Sequence, residues 1–189
     1  PFLHLRTSPP VEINKREAHL IELRKLSKSI KLDIKYATAD NFVGRPVYTE
    51  ARAFLQRPAA EALLIVHKQL KRQNLGLVTK LFWEVVREDQ REYVADPAKG
   101  SKHNRGCAVD LSIYDRKTGE PLPMPSGYDE FNERASPEYT GGTDEERKNR
   151  DLLRNLMESA GFTVNTNEWW HFDYVGWQDF AIYDISFSE

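Results

Sequence analysis

The sequence predicts one domain that contains both helices and strands. Its 189 residues match the usual length of a single domain. Apolar residues recur at steps of three and four over residues 51–74, which is typical of a helix, and alternate with polar ones over residues 107–113, which is typical of a strand. With 40% hydrophobic and 30% charged residues, the composition indicates a folded protein with one core.

Charge, hydropathy and cysteine content exclude several classes of function. A formal net charge of −2 provides no broad positive field for nucleic acid, so we expect a small or neutral partner. No stretch approaches the roughly 18 apolar residues of a membrane span. We therefore expect a soluble protein and favour a cytoplasmic location; an exported protein whose signal peptide has been removed is the alternative. The single cysteine, Cys107, excludes zinc sites that need two thiolates, so a metal here would use histidine and carboxylate ligands.

The first half of the chain predicts an arm, a strand and two helices. Residues 1–27 are predicted as an irregular arm and lead-in. Alternating apolar residues over 29–36 indicate a half-buried strand. Residues 51–74 form the predicted long helix, in which Pro58 marks either a kink or the true first turn. A shorter second helix is predicted over residues 78–86.

The second half combines a strand, a long loop, a helix and closing strands. The strand over residues 107–113 carries Asp110 on the face opposite its aliphatic side chains. Residues 121–142 form a proline-bearing loop, and loops of that length in a compact domain usually have a function. Thr143 and Glu146 form a capping box that begins the next helix. Aromatic and β-branched residues over 162–164 and 168–174 predict β-structure.

Two histidines lie in segments that suit a metal site. A hydrolytic zinc site needs three protein ligands and one open position for water, which His103, Asp110 and His171 can supply. Gly106 permits the tight turn that would bring His103 and Asp110 together. Glu168 precedes His171 by three residues, so it can act as general base if the chain turns between them, because residues three apart in a strand face opposite ways.

The spacings alone leave an ordinary structural explanation open. A histidine and an aspartate seven residues apart occur by chance in many proteins, and Glu-x-x-His is scarcely rarer. Trp169 and Trp170 are equally compatible with a plain aromatic core.

The two segments together resemble a known pair. Ser-x-His-x-x-Gly-x-Ala-x-Asp over residues 101–110, followed some sixty residues later by Glu-Trp-Trp-His, resembles the zinc D-alanyl-D-alanine dipeptidases, the family that includes the vancomycin-resistance dipeptidases. The resemblance extends over roughly residues 32–174. It implies the α+β fold of the related D,D-peptidases, with helices packed on an antiparallel sheet that bears the zinc, and makes residues 28–189 the catalytic domain.

The resemblance also implies roles for individual residues. It assigns one zinc ion per chain to His103, Asp110 and His171, and the general base to Glu168. The amino end of a dipeptide falls to Asp129 with Tyr36 beside it, and the carboxylate end to Ser101. These pairings are chemically sensible because a carboxylate meets an ammonium and a hydroxyl meets a carboxylate. For Tyr36 the alternative is a ring that merely packs.

One departure from the family pattern lies between Leu77 and Val78. Family members carry there a strand and a Tyr-Arg-Pro segment whose arginine binds the substrate and stabilises the oxyanion, so about ten residues, a strand's length, are absent. A folded protein tolerates the loss of a core strand poorly. We therefore expect that these residues are present in the protein but missing from the sequence, rather than truly deleted. Arg45 and Arg72 are available substitutes, with no feature that favours either.

The sequence therefore predicts a zinc-dependent hydrolase of D-alanyl-D-alanine, with two alternatives. The first is a D,D-carboxypeptidase or cell-wall endopeptidase of the same superfamily, which an acidic group near the metal able to meet an ammonium would disfavour. The second is a catalytically impaired zinc-binding relative. A chain in which Val78 truly follows Leu77 would lack the family's arginine and so favour this alternative.

Overall fold

The computed structural model describes residues 12–41, 44–46, 50–80 and 101–182. Within these ranges it contains seven strands and three α-helices. The strands are β1 Leu20–Glu22, β2 Lys31–Leu32, β3 Phe54–Gln56, β4 Leu75–Thr79, β5 Ala108–Asp115, β6 Phe162–Val164 and β7 His171–Tyr174. The helices are α1 Leu23–Leu26, α2 Arg57–Arg72 and α3 Asp144–Ser159.

Five of the strands form one sheet with helices on one face. Its order is β2-β4-β5-β7-β6, in which β2 runs parallel to β4 and all other neighbours are antiparallel, while β1 and β3 form a separate antiparallel pair. The sheet is thus mixed rather than wholly antiparallel, and the α+β fold class is confirmed. Alternate residues of β5 are fully buried in the core that α2 and α3 cover: Val109, Leu111 and Ile113. The opposite face of β5 is left to carry Asp110.

The long helix is shorter than its apolar periodicity predicts. Residues 54–56 form β3, which pairs with β1, and helix α2 begins only at Arg57. Pro58 lies in the first turn, so it marks the true start of the helix rather than a kink. Leu55 satisfies both patterns, because one buried residue fits a helix face and a strand face equally well.

The first predicted strand is also shortened. Only Lys31 and Leu32 are in strand β2, and the 3₁₀ turn Lys35–Ala37 follows. Ile30 and Ile34 are buried as the alternation predicts. The alternation therefore predicted the buried residues correctly but overestimated the length of the strand. Tyr36 lies in the 3₁₀ turn.

Leu77 and Val78 belong to a strand rather than to the start of a helix. Both residues lie in β4, paired with Ile113 and Ser112 of β5, so the predicted helix over 78–86 is wrong at Val78 and Thr79; residues 81–86 lie outside the described part. The expectation that residues are missing from the sequence at this point stays a prediction. The core strand is not lost, because residues 75–79 themselves supply it.

Most predictions for the second half of the chain hold, but β7 begins only at His171, so the β-structure predicted over residues 168–170 is wrong. The Thr143 side chain accepts from the Glu146 backbone while the Glu146 carboxylate accepts from that of Thr143, which completes the predicted capping box of α3. Beyond the helix, Gly161 has a φ of 89°, a conformation that favours glycine. Strands β6 and β7 follow.

The lead-in predicted over residues 1–27 is not wholly irregular. Residues 12–27 include β1 and the one-turn helix α1, and Leu23 is fully buried in the core. The domain boundary at residue 28 stays a prediction. Within the described ranges, no helix combines the length and apolar character needed to cross a bilayer.

Candidate metal centre

Three neighbouring strands carry polar residues side by side on the face of the sheet that points away from the helical core. Asp110 of β5 lies directly opposite His171 of β7. On its other side, the backbone N–H of Lys80 donates to the Asp110 carbonyl at 2.8 Å, which extends the β4–β5 ladder by one residue. Residues opposite each other in a sheet share a face, so Lys80, Asp110 and His171 form one row across it.

A 3₁₀ turn over His103–Arg105 brings His103 to this row. The turn ends at Gly106, whose φ of 67° favours glycine and whose missing side chain leaves space next to Leu20 and Gln56. The close approach predicted for His103 and Asp110 is therefore present.

The three proposed ligands have the spacing of a tetrahedral metal site. Asp110 Oδ1 lies 3.0 Å from His171 Nδ1, His103 Nε2 lies 3.2 Å from His171 Nδ1, and His103 Nε2 lies 3.5 Å from Asp110 Oδ1. Ligands at zinc bond lengths of about 2.0–2.1 Å around a tetrahedral ion are about 3.3 Å apart. Asp110 Oδ1 is buried and makes no aligned hydrogen bond within the described residues, so a cation is the partner that these atoms fit.

The surroundings orient the ligands. His171 Nε2 lies 3.0 Å from Asp173 Oδ1, whose other oxygen accepts from Lys102 Nζ at 2.6 Å. A carboxylate behind a metal-binding histidine fixes the ring and the tautomer. The Tyr128 hydroxyl lies 3.2 Å from Asp110 Oδ2, which directs the other carboxylate oxygen to the histidines.

The pKa values of Asp110 and His171 are shifted by their neighbours. Burial alone would raise the pKa of Asp110, but His103 and His171 lower it below the usual range. Burial alone would lower the pKa of His171, but Asp110 and Asp173 raise it well above its usual value. In the metal-free protein a proton on His171 thus supplies the positive charge that a metal ion would bring.

The turn required between Glu168 and His171 is present. The His171 N–H donates to the Glu168 carbonyl at 3.2 Å, and β7 begins only at His171. This turn brings Glu168 Oε2 to 3.7 Å from His171 Nδ1, and the residue is 7% exposed. A buried carboxylate next to the proposed ligands can therefore reach a water molecule bound there.

The two tryptophans of this turn hold the long loop against the sheet. Trp169 Nε1 donates to Ser126 Oγ at 2.9 Å, and the Trp170 ring packs edge-on against Tyr128 and Phe131, with centroids at 5.6 and 6.4 Å. They are core residues, as the ordinary interpretation expects, and they also fix the loop that carries Asp129.

Asp129 meets Tyr36 as the resemblance predicted. The Tyr36 hydroxyl donates to Asp129 Oδ2 at 3.3 Å, and Tyr36 is 1% exposed. Burial and the nearby charge of Asp110 raise the pKa of Asp129 to about 7. Asp129 also has a φ of 58°, a left-handed conformation that aspartate and asparagine tolerate better than most residues. A strained, poorly solvated carboxylate is typical of a functional position.

Ser101 lies beside the turn that carries His103. Its Oγ accepts a hydrogen bond from the His103 N–H at 3.2 Å, so it stabilises the turn. Its contact with a substrate carboxylate stays a prediction.

Sequence reasoning missed three residues of this site. Asp173 follows His171 by two positions, and residues two apart in a strand share a face, so alternation could have indicated it. Tyr128 adjoins Asp129 in the loop. Lys80 had no local signal, because its place depends on the β4–β5 register. Cys107, for which no ligand role was predicted, is buried.

Three ligand atoms at this spacing, beside a buried carboxylate, define a candidate metal-dependent hydrolase. Comparison with known proteins makes the assignment specific: the D-ala-D-ala dipeptidase family matches residues 83–189. The D-alanyl-D-alanine dipeptidase of Escherichia coli K12 is 32% identical over 82% of this chain and 83% of its own length. Those of Enterococcus faecium and Streptomyces coelicolor are 32% and 30% identical over 79% and 78% of this chain, and over 88% and 87% of their own. The chain belongs to the D-ala-D-ala dipeptidase family.

Proposed function

We propose that this protein is a zinc-dependent dipeptidase that hydrolyses D-alanyl-D-alanine. The observation that carries the proposal is the cluster of His103, Asp110 and His171, at the spacing of metal ligands, beside Glu168 in a chain of this family. The identity of the substrate, the identity of the metal and the role of each residue are parts of the proposal that family membership does not itself establish.

His103 Nε2, Asp110 Oδ1 and His171 Nδ1 would hold one zinc ion. When bound, zinc polarises a peptide carbonyl and lowers the pKa of a coordinated water. Asp173 and Tyr128 keep the ligands oriented.

Glu168 transfers the proton. Its carboxylate accepts a proton from the attacking water, whose oxygen bonds to the peptide carbonyl carbon. The same carboxyl then gives that proton to the leaving nitrogen as the C–N bond breaks, which regenerates the carboxylate. The products are two molecules of D-alanine.

Asp129 and Ser101 would hold the two ends of the substrate. The ionised Asp129, oriented by Tyr36, pairs with the ammonium group, and the Ser101 hydroxyl donates to the carboxylate. Two charged ends at a fixed separation favour a free dipeptide over a longer peptide, whose reacting bond has no ammonium group at that distance.

Replacing Asp129 with Asn should stabilise the metal-free protein at pH 8 and weaken substrate binding. A carboxyl whose pKa is raised on folding contributes to the free energy of unfolding at low pH. That contribution is lost as the pH rises from the pKa in the unfolded state, about 3.9, to the pKa in the folded state, about 7. Asp129→Asn removes this loss and keeps a residue that tolerates positive φ. We expect a gain of at least about 1 kcal/mol, or roughly 2–4 °C in Tm, at pH 8 and none at pH 4.

The same variant should raise KM about 10–100-fold, because a charge-assisted hydrogen bond to the ammonium is lost. Asp40→Asn is the matched stability control: Lys35 lowers the pKa of that exposed carboxyl, so the expected sign is opposite. Thermal unfolding at pH 4 and 8 and steady-state kinetics measure both effects. An unchanged KM would remove Asp129 from the ammonium site.

One observation favours a second candidate. The sequence runs from Leu77 to Val78 without the family's Tyr-Arg-Pro segment, and a chain that lacks its arginine would bind zinc and peptide but turn over poorly. The placement of Asp129 disfavours the other alternative, the carboxypeptidase or endopeptidase, because a buried carboxylate suits a free ammonium.

The deciding experiment measures D-alanine release by the purified protein with and without added zinc. Free D-alanyl-D-alanine and its N-acetylated form are compared. Zinc-dependent cleavage of the free dipeptide alone supports the proposal. Cleavage of both indicates a carboxypeptidase, and cleavage of neither with zinc bound indicates the impaired relative.

A further inference from the structure

Lys80 places a positively charged side chain on the face of the sheet that carries the proposed ligands, and the proposed reaction gives this side chain no role. The row Lys80–Asp110–His171 begins at the residue after β4 and continues across β5 and β7, so the Lys80 side chain emerges beside the metal ligands rather than in the core. The inference below rests on the proposed function, since it concerns the same reaction.

Among the described residues, the surroundings leave this ammonium group available. Lys80 Nζ lies 5.0 Å from the Tyr128 ring centroid and 3.9 Å from Asp33 Oδ2, beyond hydrogen-bond distance. By contrast, Lys102 is hydrogen-bonded to Asp173 and Lys35 to Asp40, each at 2.6 Å. Of these three lysines, Lys80 alone makes no hydrogen bond to a carboxylate of the described residues.

Lys80 lies next to Asp110 and next to the loop that carries Asp129. Its backbone pairs with Asp110, and the Tyr128 hydroxyl lies 2.9 Å from its carbonyl oxygen and can donate there or to Asp110. Asp129 follows Tyr128 directly and interacts electrostatically with Lys80. The site therefore runs from His171 through Asp110 to Lys80 and Asp129.

The chemistry of the dipeptide determines which of its groups meets this cation. One carbon atom separates the ammonium nitrogen from the carbonyl carbon of the reacting bond, while the carboxylate lies on the far side of that bond. With the ammonium at Asp129 and the reacting carbon near the ligands, the carbonyl oxygen is the substrate atom closest to a cation that neighbours both Asp110 and Asp129. The carboxylate stays with Ser101.

We propose that Lys80 stabilises the negative charge that develops on the carbonyl oxygen during hydrolysis. As the water oxygen bonds to the carbonyl carbon, the π electron pair moves onto the carbonyl oxygen beside the Lys80 ammonium. When the C–N bond breaks, that pair re-forms the carbonyl bond and the leaving nitrogen takes its proton from Glu168. Lys80 keeps its own proton throughout. A donor aimed at charge formed only in the transition state increases kcat more than it lowers KM.

The test compares Lys80→Met with Lys80→Arg and with a matched lysine outside the site. Lys31 is the control, because its Nζ also lies over a tyrosine ring, 4.2 Å from the Tyr114 centroid, on the edge strand of the same sheet. We expect Lys80→Met to lower kcat about 10²–10³-fold with little change in KM, Lys80→Arg to recover part of the loss, and Lys31→Met to match the wild type. Zinc content and circular dichroism verify that each variant is folded and loaded.

A phosphinate analogue of the dipeptide gives a readout independent of turnover. Its tetrahedral anion resembles the transition state, so Lys80→Met should weaken its binding by a factor similar to the loss in kcat, but weaken the substrate much less. Equal weakening of both, or a KM effect with kcat unchanged, would assign Lys80 to ground-state binding and overturn the proposal.

Chemical rescue covers the case in which the methionine variant does not fold. Lys80→Cys treated with 2-bromoethylamine forms a carbon–sulfur bond with loss of bromide and regains an ammonium of nearly lysine length. The other cysteine, Cys107, is buried and its pKa is raised to about 12, so it should not react. Alkylation should restore at least part of the lost kcat; no recovery in a folded, zinc-loaded protein rejects the role. A wild type that cleaves nothing overturns this proposal together with the proposed function, whereas an active wild type with an equally active Lys80→Met overturns the assignment of Lys80 alone.

Discussion

Glu168→Gln is expected to lower kcat about 10²–10⁴-fold while leaving zinc bound. The carboxylate lies 3.7 Å from His171 Nδ1 and is not among the three atoms at ligand spacing, so it can act on a water beside the metal without holding the metal. Glutamine preserves the volume of this buried side chain but cannot accept and return a proton at neutral pH. The measurement is kcat for D-alanyl-D-alanine together with zinc content.

Glu138→Gln is the matched control for this substitution. Its carboxylate is 74% exposed and pairs with Arg154 at 2.5 Å. Glu138 has no role in the proposed reaction. Removing an exposed ion pair of this kind changes stability by no more than about 1 kcal/mol and should leave kcat unchanged. Near wild-type turnover by Glu168→Gln would show that another group accepts the proton.

The sequence predicted well those helices and strands that have a clear pattern within their own segment. The capping box of Thr143 and Glu146 identified the start of α3, and the alternation around Asp110 identified β5, which continues two residues beyond the predicted end. The short strands β3 and β4 were missed because they adjoin apolar runs with helical spacing. A strand of three to five residues next to a helix has too little periodicity of its own, and only its pairing partner, distant in sequence, distinguishes it.

The candidate site divides in the same way. His103, Asp110, Glu168 and His171 lie in two short segments, so local spacing and family resemblance identified them together. Lys80 directly follows β4, and only the register of β4 on β5 places it beside Asp110. A residue whose role depends on pairing between strands thirty positions apart has no signature within its own segment.

Removing the metal is expected to abolish turnover, and added zinc should restore it. His103→Ala is also expected to abolish turnover, but added zinc should not restore this variant. Zinc supplies several kcal/mol of transition-state stabilisation, so a chelator should lower the rate by at least about 10³-fold, and added zinc should restore it in the wild type. His103→Ala leaves only Asp110 and His171 of the ligand cluster. Because a catalytic zinc site ordinarily has three protein ligands, added zinc should not restore this variant.

Thermal unfolding gives the second measurement, because it does not depend on catalysis. A ligand that binds only the folded state stabilises it by RT ln(1 + [L]/Kd), so excess zinc should raise the Tm of the wild type but hardly that of His103→Ala. His19→Ala is the control: this histidine is exposed and lies against Arg57, and its loss should leave both the zinc-dependent Tm shift and the activity intact. An equal zinc response in all three proteins would place the metal somewhere other than this cluster, and turnover that survives complete chelation would show that the reaction does not need it.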